Sequence, residues 1–70
     1  MSPDQYVSTF TDRNNGVRYW QVIGASGAPV SAETTDSAAA LAEFARCYPG
    51  KPVTIWHGDI GQFVNEGTDV

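Results

Sequence analysis

Apolar and polar positions alternate through the first third of the chain. The runs "QYVSTFT" (5–11) and "VRYWQVIG" (17–24) are rich in aromatic and β-branched residues and flank "DRNNG". Two such runs about an Asn-Asn-Gly turn predict a β-hairpin. With Gly16 at positive φ closing a three-residue loop and bulge, Phe10 faces Trp20 and Asp12 faces Arg18. A two-residue loop pairs Phe10 with Tyr19 instead, and a slip of one residue exchanges the two faces. A second turn signal, "GASGAP", leads into "PVSAE", which predicts a short third strand completing a meander.

The period then lengthens. In "TTDSAAALAEFARCYPG" (34–50), Ala38, Leu41, Phe44, Ala45 and Tyr48 fall on one stripe at 100° per residue, with Asp36, Glu43 and Arg46 opposite and Cys47 towards the outer side. Thr34, Thr35 or Asp36 can cap the start of this helix, and Gly50, after Pro49, closes it. "KPVTIWHG" reads as a strand and "GQFVNE" as a shorter last one, with "HGDIG" turning between them. The expected fold is α+β, a single small domain over residues 1–70 in the order β-β-β-α-β-β. Its sheet is mostly antiparallel with one helix packed on one face, and residues 1–4 and 67–70 fray.

Composition narrows the function classes. The chain has 70 residues and a single cysteine, so no intramolecular disulfide can form and packing has to carry its stability. No apolar run is long enough to cross a bilayer, and a lone thiol without a secretion signal predicts a cytoplasmic protein. Net charge is −4, with Asp59, Glu66 and Asp69 but no Lys or Arg in residues 52–70. Four basic side chains in all argue against direct binding of nucleic acid, whose phosphates need a basic surface. An acidic surface instead favours a basic partner protein.

The chemistry-bearing residues are few. His57 is the only histidine, and Asp59 follows across Gly58. Catalysis needs more than this pair: a nucleophile or substrate proton in reach, and a group that steadies developing charge. In a strand His57 shares a face with Val53 and Ile55, and Asp59 suits a turn. One histidine and one thiol are not a zinc set, and no DxDxDG calcium loop occurs, so neither metal nor cofactor is expected. "GASG" lacks the rest of a phosphate loop.

Aromatic residues carry the stronger signal. A single helix buries one face of a sheet, yet Trp56 opposes Val53 and Ile55, and Trp20 and Val22 oppose Tyr19 and Ile23. Exposed aromatics beside acids are what a protein-binding surface looks like. The candidate partner-binding residues are therefore Trp56, Asp59, Glu66, Trp20, Asp12 and Glu43. The expected activity is that of a non-enzymatic inhibitor that occludes a basic, nucleic-acid-handling partner. The alternatives are a small enzyme or small-molecule-binding domain using the His57–Asp59 turn, and a homodimeric accessory module.

The "NNG" hairpin, the Ala-rich helix at 34–50 and the stretch 52–70 without basic residues together resemble small phage-encoded inhibitors of the anti-CRISPR type. The likeness spans the whole chain in style. That group shares no diagnostic motif, so no functional residue is carried over. The resemblance implies a CRISPR effector complex as target, with Asp and Glu side chains standing in for phosphates in its basic channel.

Overall fold

Strand β1 (Tyr6–Thr11) and strand β2 (Arg18–Ile23) form the hairpin, helix α1 (Ser37–Cys47) follows, and strands β3 (Val53–His57) and β4 (Gln62–Glu66) complete the chain. The computed structural model describes residues 4–66, with side chains through Val64; of the ends expected to fray, 1–4 and 67–70, all but Asp4 lie outside the described residues. The class is α+β, with one helix and a four-stranded mixed sheet in the order β2-β1-β3-β4. β1 runs antiparallel to β2 and parallel to β3, and β3 runs antiparallel to β4. Among the described residues, no helix is long and apolar enough to cross a membrane.

The hairpin takes the second of its two registers, correcting the Phe10–Trp20 and Asp12–Arg18 pairs: Phe10 pairs with Tyr19 and Thr11 with Arg18. Side chains in the loop explain the choice. Asp12 Oδ1 accepts the Asn14 N–H at 2.8 Å, and Asn15 Oδ1 accepts the Val17 N–H at 2.9 Å. The Asp12 N–H then donates to the Val17 carbonyl at 2.9 Å, while Gly16 turns the chain at φ 71°. These self-bonded Asx turns close four residues between Asp12 and Val17. The result places Val22 beside Val7 and Trp20 beside Thr9.

The third strand expected at "PVSAE" is absent as an element, so the observed order is β-β-α-β-β. Its ladder pairing with β2 amounts to two isolated bridges, Ile23–Pro29 within the segment and Trp20–Thr34 just beyond it. Pro29 brings no N–H to a ladder. At the next level the Val22 N–H donates to the Ser31 hydroxyl at 3.1 Å instead of to a carbonyl, and Gln21 Nε2 donates to the Ser31 carbonyl at 3.0 Å. Side chains thus replace backbone pairing, and the segment seals the outer edge of β2 without extending the sheet.

The helix begins where Asp36 caps it, with Oδ1 accepting the Ala38 N–H at 3.0 Å. Its buried residues are Ala40 and Phe44, and Leu41 and Tyr48 pack half-buried beside them. Ala38 and Ala45 are exposed, which corrects the expected stripe. Phe44 sets the rotation: residues four apart stack along one face, so Ala40 and Tyr48 accompany it inward. Beneath lie Val7, Val22 and Ile55, side by side on three neighbouring strands. Burying each such side chain contributes roughly 1.5–3 kcal/mol.

The helix rests on β1 and β2; among the described residues it does not cover β4, where Val64 is 39% exposed. Phe44→Ala is expected to cost about 3–5 kcal/mol in denaturant unfolding, whereas Ala45→Ser on the outer face costs about 0.5 kcal/mol or less. Equal losses for the two would contradict this packing.

Candidate functional site

Parity along the strands sorts the side chains onto two faces. Val7, Thr9, Arg18, Trp20, Val22, Val53, Ile55, His57, Gln62 and Val64 point to the helix side, because paired residues share a face. Tyr6, Ser8 and Phe10 of β1, Tyr19, Gln21 and Ile23 of β2, Thr54 and Trp56 of β3 and Phe63 of β4 point the other way. Ile23 and Thr54 are buried, Tyr6, Phe10, Tyr19 and Trp56 are half-buried, and Phe63 is exposed. Among the described residues no element packs over this second face. Its rings instead lean on one another. Trp56 and Phe63 have centroids 4.7 Å apart, Tyr6 meets Phe63 edge-on at 5.3 Å, and Phe10 lies 5.7 Å from Tyr19. Such ring pairs hold their geometry without a second layer. Among the described residues Ser8, Gln21 and Thr54 are the polar members of this face, and no Lys, Arg, Asp or Glu side chain interrupts the rings.

Asp12 continues the row Tyr6–Ser8–Phe10 into the hairpin loop, where one carboxylate oxygen accepts the Asn14 N–H. It forms an acidic rim at that end of the ring face. Trp56 lies in the face itself. Trp20 does not: the one-residue change of register keeps it with Thr9 on the helix side, half-buried against the core. Glu43 sits on the helix, ion-paired with Arg46, and faces a cleft of about 270 Å³ lined by Ser31, Ala32, Thr34, Ala39 and Ala40. The Arg46 hydrogen bond holds the Glu43 carboxyl below its ordinary value, aided by the guanidinium charge and the Cys47 thiol. Glu66 belongs to β4, but its side chain lies outside those described.

Asp59 has a different role from any read in the sequence. Its carboxylate accepts the Thr11 N–H at 3.1 Å, the Thr11 hydroxyl at 2.9 Å and Arg18 Nη2 at 3.0 Å. Arg18 Nη1 also donates to the Thr9 hydroxyl at 3.3 Å, and that hydroxyl donates to the Tyr19 carbonyl at 2.9 Å. The β3–β4 turn is thereby clamped onto the end of the first hairpin. Close backbone approach supports the clamp. The Gly58 N–H donates to the Thr9 carbonyl at 2.8 Å, and a Cβ at Gly58 would lie 3.2 Å from that oxygen. Gly61, at φ 67°, closes the turn by donating to the His57 carbonyl at 2.8 Å.

His57 is half-buried at the end of β3, next to Thr9 in the parallel register. The Asp59 carboxylate is directed to Thr11 and Arg18, so the two residues do not form an acid–base dyad. Cys47 is exposed on the helix and contacts Glu43 at 3.6 Å. Among the described residues no three His, Cys, Asp or Glu side chains gather where a metal ion could sit.

Sequence reasoning missed the ring partners Tyr6, Phe10, Tyr19 and Phe63, although each shares the parity of Trp56 once the pairing is known. It also missed Thr11 and Arg18 as partners of Asp59. Separations of 48 and 41 residues leave no local trace of that contact. The sequence matches no known protein-family model and no curated protein, and the fold matches no solved structure.

The Thr11 backbone hydrogen bond, the Thr11 hydroxyl and the Arg18 charge hold the Asp59 carboxyl below its ordinary value. A lowered folded-state pKa contributes stability that is complete above the ordinary carboxylate pKa, about 4. That stability is lost as pH falls through the lowered value. Unfolding midpoints measured from neutral pH down to about pH 2 should therefore fall more steeply for the native chain than for Asp59→Asn. Parallel curves would show that the clamp does not contribute.

Proposed function

We propose that this chain is a non-catalytic binding protein that docks through its open aromatic face onto a basic surface of a partner protein and so occludes it. The observation that carries the reading is the face itself: among the described residues, five half-buried or exposed rings on four strands, with no helix over them, no charged side chain between them, and Asp12 at the rim. An interface core is built in this way, with aromatic residues at the centre and charge kept to the margin. Buried Trp and Tyr dominate the energetics of such surfaces, and surrounding contacts exclude water. A net charge of −4 steers the chain towards a basic partner and away from nucleic acid.

An occluding inhibitor of a nucleic-acid-handling protein, of the kind the likeness to anti-CRISPR proteins implies, is the form of this reading that the acidic balance supports. The acids contribute unequally. Asp59 and Glu43 are committed to Arg18 and Arg46, and Asp36 to its helix cap. Phosphate mimicry by Asp59 is therefore no part of the proposal. Recognition rests on the rings, with Asp12 adding charge at the rim.

Capture of partners from host lysate on the immobilised chain tests this. Trp56→Ser is expected to lower recovery about tenfold or more, as loss of a central aromatic anchor does. Asp12→Lys should lower it less and flatten its dependence on salt. Asp59→Asn should leave capture nearly intact at neutral pH. Recovery insensitive to Trp56→Ser but abolished by Asp59→Asn would overturn the assignment of the face.

A further inference from the structure

The segment after β2 does not close flat against the helix. Ser31 is tied to the strand edge: its hydroxyl accepts the Val22 N–H at 3.1 Å, and its carbonyl accepts Gln21 Nε2 at 3.0 Å. The chain meets β2 again at Thr34, whose carbonyl accepts the Trp20 N–H at 2.7 Å. Between this segment and the helix residues Ala39, Ala40 and Glu43 a cleft of about 270 Å³ remains, lined also by Ser31, Ala32 and Thr34. Alanine methyls are too short to fill it. Drug-sized ligands occupy pockets of roughly 300–1,000 Å³, so the space here suits a single short chain.

Charge around the cleft has one sign. Residues 31–45 contain Glu33, Asp36 and Glu43 and no Lys or Arg. Asp36 caps the helix, where its carboxylate offsets the positive end of the dipole. Glu43 is the acid that lines the cleft. Its side chain is 27% exposed, whereas that of Arg46, its ion-pair partner, is 73% exposed. The guanidinium therefore approaches from solvent, and it takes Oε2, the oxygen that also contacts the Cys47 thiol. Oε1 is left to accept another donor. Exposed pairs of this kind hold weakly. The Thr34 hydroxyl accepts the Asp36 N–H at 3.1 Å and retains a lone pair.

We propose that this cleft binds a primary alkylammonium group, the chemistry of a lysine side chain or of a free linear amine. The alanine methyls pack on the alkyl stem, and the ammonium donates to the Glu43 carboxylate beside the Thr34 hydroxyl. An ammonium suits the place better than a second guanidinium, being a compact charge with three rotatable donors on a flexible stem. Anions are repelled by Glu43, and a neutral chain would desolvate that carboxylate without offering a donor in return. None of the lining residues belongs to the ring face, so the site is separate from the docking surface proposed above.

Titration of n-butylammonium into the full chain, with its alanine methyls carbon-13 labelled for NMR, tests this. Saturable shifts are expected at Ala32, Ala39 and Ala40, while Ala38 and Ala45 on the outer face of the helix stay still. n-Butanol, of equal length and no charge, should bind about tenfold more weakly, and Glu43→Gln should weaken butylammonium to the same degree. Ala39→Leu fills the cleft and should abolish binding, and both variants should keep the native circular-dichroism spectrum. Arg46→Ala should leave binding unchanged or tighter. Nα-acetyl-lysine N-methylamide separates the two sources: tighter binding than butylammonium assigns the cleft to a protein lysine, weaker binding to a free amine. The absence of any saturable shift would overturn the proposal. So would equal affinity for butanol, or shifts that survive Glu43→Gln or Ala39→Leu. Binding that appears only after Arg46→Ala would also overturn it, making Arg46 the cleft's own cation. Trp56→Ser should change none of these readouts, so failure here leaves the aromatic-face reading to its own test.

Discussion

A helix about 10 Å across covers two strands spaced about 4.8 Å apart, and this chain has one helix for four strands. The rest of the architecture follows from that shortage. α1 sits over β1 and β2, so Phe44 can bury a row of Val7, Val22 and Ile55 but cannot reach β4. Among the described residues neither the helix nor another strand covers the other face of the sheet. Evolution or chance could have made it polar, as solvated antiparallel sheets commonly are. It is instead lined with Tyr6, Phe10, Tyr19, Trp56 and Phe63. A face that keeps its rings with no helix over it among the described residues is the physical basis for reading the protein as a binder.

A chain this small also has to hold its two hairpins together without a large core. The parallel contact between β1 and β3 is the junction, and it is extended at one end by Asp59. The Arg18 and Asp59 side chains are 41% and 36% exposed, so the ion pair by itself contributes little. Its value lies in geometry. One carboxylate takes three donors from two residues of the first hairpin, fixing where the β3–β4 turn stands relative to Phe10 and Trp56. The clamp thus supports the aromatic face from behind, and it ties the Asp59 carboxylate to Thr11 and Arg18.

Local signals made much of this legible. The hairpin, the helix with its Asp36 cap and the last two strands all follow from alternation, period and turn residues within about ten positions of each other. Failures occurred where a local rule had a competitor. Asp12 and Asn15 each bond the backbone two residues on, which moved the register by one and carried Trp20 to the helix side. Ser31 supplied a hydroxyl where a strand would supply a carbonyl, so "PVSAE" became a sealing segment. Ala38 and Ala45 were misplaced because alanine is too small to set a helix's rotation against Phe44. The Asp59 clamp joins residues more than forty apart and has no signature in any window. The place of Trp56 opposite Val53 and Ile55 was legible because parity within one strand needs no partner strand.

Docking through the second sheet face requires that face to be open in the isolated protein. The direct measurement is paramagnetic broadening by a soluble nitroxide, read at side-chain NMR signals. The expected result is strong broadening at the rings of Phe10, Tyr19, Trp56 and Phe63, with little at Val7, Val22, Phe44 and Ile55. Rings as protected as Phe44 would contradict it, showing that the face is covered and that recognition must lie elsewhere on the molecule.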